Sequence, residues 1–125
     1  TTKVEFLGQI VHKEISQCYQ KADLLVAPSI WMENCPLVIL EAMVYGLPVI
    51  GSNIGGIPEL IKNRETGLVF KPRDAVDLAD KIKYCCKRPN MLKQMGQKAN
   101  QRYLLNYTPE VYYQKLINIY QNVKN

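Results

Sequence analysis

Glu33 and Glu41 stand eight positions apart, on either side of a predicted helix start at Pro36. A carboxylate accepts hydrogen bonds through two oxygens, so it can hold two adjacent hydroxyl groups. A helix N-terminus presents unpaired N–H groups and a partial positive charge, which suits phosphate. Together these residues point to a ligand that carries both hydroxyls and phosphate. Between Pro36 and Tyr45, Glu41 is the only charged residue, and its neighbours Leu37-Val38-Ile39-Leu40 and Ala42-Met43-Val44 are apolar on every side. That is the pattern of a buried helix, where an unpartnered carboxylate is costly. Ribose hydroxyls would be suitable partners; backbone N–H groups or a lysine are the plainer alternative. Glu33, in the loop before the helix, would face the same crevice and hold sugar hydroxyls, unless it is simply solvated.

The elements that must position these residues read as alternating strands and helices. Val4-Glu5-Phe6-Leu7 is expected to be a strand ending at Gly8, and His12 to Lys21 a short helix. Leu24-Leu25-Val26-Ala27 is a continuous apolar run, the pattern of a strand buried on both faces, and Pro28-Ser29 ends it. The helix from Pro36 to Tyr45 follows, with Gly46 at the position that favours left-handed backbone. Pro48-Val49-Ile50 and Leu68-Val69-Phe70 are two further strands, separated by a brief helix at Pro58-Glu59-Leu60-Ile61. Beyond Asp74, a good N-cap, the chain reads as helical. Ala75, Leu78, Ala79, Ile82 and Cys86 should share one face, Leu92, Met95, Ala99 and Tyr103 the next, and Tyr112, Leu116, Ile119, Tyr120 and Val123 the last. The expectation is a Rossmann-like three-layer α/β/α arrangement, with a parallel sheet of about four strands and C-terminal helices. In such sheets ligands bind at the carboxyl ends of the strands, where the Glu33 loop lies.

Other residues carry less chemistry. Gly55-Gly56 reads as a tight turn. No Gly-x-Gly-x-x-Gly run and no Gly-Lys-Ser/Thr phosphate loop occurs. His12, the single histidine, reads as a surface residue at a helix start. Cys35 sits near a positive helix end but has no base beside it in sequence. The four cysteines lack a Cys-x-x-Cys pair, so no metal site is expected and reduced thiols are the simple reading. The net charge of +5 comes from scattered lysines and arginines, without the basic stripe and interleaved aromatics that nucleic acid would require. It leaves weak attraction to an anionic membrane surface open. No apolar run approaches the roughly 20 residues needed to span a bilayer, and residues 1–5 do not form the apolar part of a signal peptide. A cytoplasmic location is expected, with peripheral contact at the inner membrane face as an open addition.

Pro28-Ser29, the Glu33/Glu41 spacing, Glu41-Ala42-Met43 and Gly46-Leu47-Pro48-Val49-Ile50 resemble the group 1 (family 4) retaining glycosyltransferases. Gly55-Gly56-Ile57-Pro58-Glu59 and Thr66-Gly67-Leu68-Val69-Phe70 continue the likeness in order, and Phe6-Leu7-Gly8 and Ala22-Asp23 match upstream. The resemblance implies a GT-B enzyme, with two Rossmann-like domains across a cleft, of which residues 1–125 would be most of the C-terminal, nucleotide-sugar-binding domain. It implies that Glu33, with Asn34, meets the donor sugar hydroxyls, and it makes Glu33 the candidate catalytic residue. Glu41 would hold the ribose, N–H groups near Leu37 and Val38 the diphosphate, and the loop at Gln9 and Ile10 the nucleobase. The donor would be UDP- or GDP-linked, transferred with retention and without a required metal or other cofactor, in polysaccharide or glycolipid assembly.

Two departures bear on this reading. Pro36 stands where many relatives have Gly, which removes one phosphate-binding N–H. The first strand–helix unit of the domain, with its basic residues, and the N-terminal acceptor domain are expected to precede residue 1. The isolated chain is therefore expected to be inactive, and to self-associate through Tyr112, Tyr113 and Tyr120, left partly uncovered on the last helix. Two other readings stay open: a nucleotide-sugar epimerase of the same fold, and a non-catalytic interaction module in which Glu41 is structural.

Overall fold

The computed structural model describes residues 3–124. Its elements run in the order α1 (His12–Lys21), β1 (Leu25–Ala27), α2 (Leu37–Val44), β2 (Val49–Ser52), α3 (Ile57–Leu60), β3 (Gly67–Phe70), α4 (Ala75–Cys86), α5 (Pro89–Asn106) and α6 (Pro109–Val123). The three strands form one parallel sheet in the order β1-β2-β3. The register aligns Val26, Ile50 and Leu68 across the sheet, and likewise Ala27, Gly51 and Val69. Because side chains alternate between faces, this register builds two cores. Leu25, Ala27, Val49 and Val69 pack with Ile39, Ala42 and Met43 of α2, Ile57 and Leu60 of α3, and Ala99 of α5. Ile50, Leu68 and Phe70 pack on the other face with Leu78, Ile82 and Cys85 of α4 and Met95 of α5. The result is the expected helix–sheet–helix layering.

Four details differ from the sequence reading. Residues 4–7 are not a strand: no described segment pairs with them, and Phe6 is 94% exposed. A strand exists only where its N–H and C=O groups have a ladder partner, so three strands are observed rather than about four. Leu24–Ala27 is not an interior strand either. Among the described residues β1 pairs with β2 alone, and Leu25 and Val26 are only half-buried; the fully buried strand is β2. On α4 the inward face runs through Leu78, Ile82 and Cys85, leaving Ala79 and Cys86 exposed. Helix α2 is not enclosed on all sides, since Leu37, Val38 and Val44 are exposed.

The helix ends follow their residues. The Asp74 carboxylate accepts from the Asp77 N–H and the Thr108 hydroxyl from the Val111 N–H, each capping a first turn. Asp77 in turn accepts from Lys81 Nζ and the Lys71 N–H, and those bonds hold its carboxyl below the usual 3.8. After α2 the chain reverses at Gly46, whose φ is +66°, while the Asn100 side chain of α5 donates to the Met43 and Val44 carbonyls. These bonds tie α5 to the end of α2. On α6 no residue is buried, and Tyr112, Tyr113, Ile119, Tyr120 and Val123 are exposed, as the uncovered-aromatic expectation required.

Candidate functional site

The carboxyl ends of β1 and β2 open into two loops that hold each other. After β1, residues 28–36 cross the edge of the sheet and feed α2; after β2, residues 53–56 turn into α3. Ser52, buried at the end of β2, donates from Oγ to the Ser29 carbonyl at 2.6 Å, fixing where the first loop leaves the sheet. The Gly56 N–H donates to the Glu33 carbonyl at 2.6 Å. Gly55 lies so near the same stretch that a Cβ there would sit 2.5 Å from the Glu33 oxygen and 2.8 Å from the Glu33 nitrogen. A Cβ on Gly56 would overlap the Asn34 carbonyl. The glycine pair is thus more than a tight turn: it forms the seat on which the Glu33–Asn34 backbone rests.

This seat delivers the chain to α2. Pro36 is the N-cap, with φ −69° and ψ 111°, and no side chain caps the helix. The Ile39 N–H bonds back to the Pro36 carbonyl, while the first-turn N–H groups of Leu37 and Val38 have no acceptor within the helix. Both residues are exposed, Leu37 by 67%, and unpaired N–H groups at a helix start favour an anion.

One turn further on, half-buried Glu41 meets neither a lysine nor a backbone N–H among the described residues. The Tyr19 hydroxyl of α1 donates to Glu41 Oε2 at 2.8 Å. Burial first, and then this hydrogen bond to the carboxylate, push the Tyr19 hydroxyl well above the ordinary phenol value of 10.0. The Tyr19 ring stacks on Tyr45, with centroids 5.5 Å apart and planes 14° apart. Glu41 and Leu37 also line a cleft of about 660 Å³ between α2 and the α5–α6 turn, together with Cys35, Tyr103, Tyr107 and Lys115.

The structure therefore brings Glu33, Asn34, Leu37, Val38 and Glu41 together along one loop and one short helix. Glu33 is half-buried and Asn34 exposed. Gln9 is exposed and Ile10 half-buried in the link between Gly8 and α1, separate from that loop in the chain. His12 opens α1 as an exposed residue, and Cys35 is an exposed thiol. Among the described residues no cluster of three or more His, Cys, Asp or Glu could hold a metal ion, and no helix is long and apolar enough to cross a membrane. Sequence reasoning missed Tyr19 and Ser52. Tyr19 carried a weak signal, since it is the bulky residue near the end of α1 that must face the sheet; Ser52 carried none.

The sequence matches the family described as Glycosyl transferases group 1 over residues 1–102. The chain belongs to the group 1 glycosyltransferases. It is 41% identical over 81 residues to sulfoquinovosyl transferase SQD2 of Arabidopsis thaliana, covering 62% of this chain and 16% of that protein. Sucrose-phosphate synthase from Thermosynechococcus elongatus superposes with a TM-score of 0.86 at 32% identity, over 95% of this chain and 30% of that one. The C-terminal domain of a group 1 family glycosyl transferase (LpcC) from Francisella tularensis superposes with a TM-score of 0.73 at 25% identity, over 85% of this chain and 53% of that one. The fold is that of GT-B glycosyltransferases, with three strands present. This glycosyltransferase chain spans about a sixth to a third of the curated relatives it matches. Every candidate site residue of the glycosyltransferase, from Gln9 to Glu41, falls inside the family match, whereas α6 lies beyond it.

Proposed function

We propose that residues 1–125 form the donor-binding part of a retaining glycosyltransferase that moves a sugar from a nucleotide-sugar to an acceptor. The observation that carries this reading is the pairing of an uncapped α2 N-terminus with a fixed carboxylate one turn later. The Leu37 and Val38 N–H groups would take the diphosphate and Glu41 the ribose hydroxyls, a spacing that suits a nucleoside diphosphate. Glu33, held by Gly56 beside this helix start, would hold the sugar hydroxyls at the reacting centre, with Asn34 next to it, and Gln9 and Ile10 would meet the base. In the transfer, the bond from the anomeric carbon to the diphosphate breaks, a bond to an acceptor hydroxyl oxygen forms with retention at that carbon, and the hydroxyl proton passes to the leaving diphosphate. Charge then develops on the leaving diphosphate, where the helix N-terminus stabilises it. We place the acceptor site outside residues 1–125, so that this chain alone binds donor without turning it over. No metal is assigned a role.

Calorimetric titration with UDP, GDP and uridine tests the reading. Saturable binding of one diphosphate is expected, with uridine weaker by about tenfold or more, because it lacks the group that meets the α2 N-terminus. Equal binding of uridine and UDP would remove the diphosphate assignment, and no binding of either nucleotide would remove the donor site.

A further inference from the structure

Glu41 is the residue on which ribose recognition turns, and its carboxylate is not free to wander. Tyr45 follows four residues later, as the C-cap of α2, and Tyr19 of α1 meets both the Tyr45 ring and the Glu41 carboxylate. The Tyr19 ring stacks on Tyr45 at 5.5 Å, and its hydroxyl donates to Glu41 Oε2 at 2.8 Å. Tyr19 is only 6% exposed, so its ring is held by packing with its hydroxyl directed to Glu41.

We propose that Tyr19 is a positioning residue for donor recognition: it locks the Glu41 carboxylate in the orientation that accepts the two ribose hydroxyls. This rests on the assignment of Glu41 to the ribose. An ionised carboxylate offers about four lone-pair positions. Tyr19 occupies one on Oε2, which leaves Oε1 and the rest of Oε2 for two adjacent hydroxyls. A glutamate side chain has three rotatable bonds, and freezing them on binding costs affinity. The Tyr19 hydroxyl freezes them beforehand. Selectivity for ribose over a sugar without these hydroxyls then depends on a residue that never touches the ligand.

The test compares UDP with 2′,3′-dideoxy-UDP on the wild-type chain, Tyr19→Phe and Glu41→Gln. The wild type is expected to favour UDP by about tenfold or more. Tyr19→Phe keeps the ring and its stacking, so it should bind the dideoxy nucleotide as the wild type does while losing most of the preference for UDP. A purely structural role would weaken both nucleotides alike or lower the melting temperature, and would leave the ratio intact. If Tyr19→Phe keeps the ratio while Glu41→Gln loses it, the positioning role is overturned and the ribose assignment stands. If the wild type shows no preference, or no binding, both fall. Side-chain ¹³C relaxation of Glu41 without nucleotide supplies a second readout: ordered in the wild type and mobile in Tyr19→Phe. A mobile Glu41 in the wild type would overturn the proposal.

Discussion

Gly56→Ala is expected to lower the melting temperature by roughly 10 °C and to weaken nucleotide binding more than any surface substitution. The added Cβ meets the Asn34 carbonyl, which is backbone and has no rotamer to move into. Relief requires the Glu33–Asn34 segment to lift away, which breaks the 2.6 Å bond from the Gly56 N–H to the Glu33 carbonyl. Overpacking of this kind costs about 3 kcal/mol in a domain of this size. The displaced loop is the one that delivers Pro36 to the start of α2, so the open N–H groups at Leu37 and Val38 move with it. Thermal unfolding followed by circular dichroism, with UDP titration at a temperature where the variant stays folded, reads both effects. An unchanged melting temperature would show that the two loops do not rest on each other.

The second large effect is on affinity rather than stability. Glu41→Gln should weaken UDP binding by roughly ten- to a hundredfold, because hydrogen bonds to a charged acceptor are worth about 1.5–3 kcal/mol. The amide oxygen of glutamine can still accept from the Tyr19 hydroxyl, so the melting temperature should hardly change. Glu41→Ala would confound the result, since it leaves the buried Tyr19 hydroxyl without its partner at a cost of about 1–3 kcal/mol. Glutamine is therefore the informative replacement, and binding equal to the wild type would reassign Glu41 to a structural role.

Much of the frame that carries these residues is written locally. Gly46 stops α2 because its backbone is left-handed there, and Asp74 and Thr108 start helices through their own side chains. Signals of this kind act within four residues and can be seen in sequence. Distant partners cannot. Residues 4–7 have the composition of a strand, yet a strand is a property of a pair, and the pairing partner is not written in the segment itself. Cys85 and Cys86 are chemically identical neighbours, and only the packing of α4 on Phe70 and Met95 selects the first for burial. Glu41 was expected to need a partner because α2 is apolar. That the partner is Tyr19, 22 residues earlier, follows from the tertiary packing that sets the Tyr19 side chain beside Glu41. Gly55-Gly56 announces a turn, but its role as the seat of Glu33 emerges only when the two strand ends stand side by side.

The central claim is that a nucleoside diphosphate binds across the start of α2, with its ribose on Glu41. Its most direct test is a ¹H–¹⁵N NMR titration of the chain with UDP and GDP. The account predicts saturable shifts concentrated at the Leu37 and Val38 amides, at Glu41, and at the Gly55-Gly56 seat, with α4 unmoved. Saturable shifts confined to α4 or α5, or no shifts at millimolar nucleotide, would contradict it.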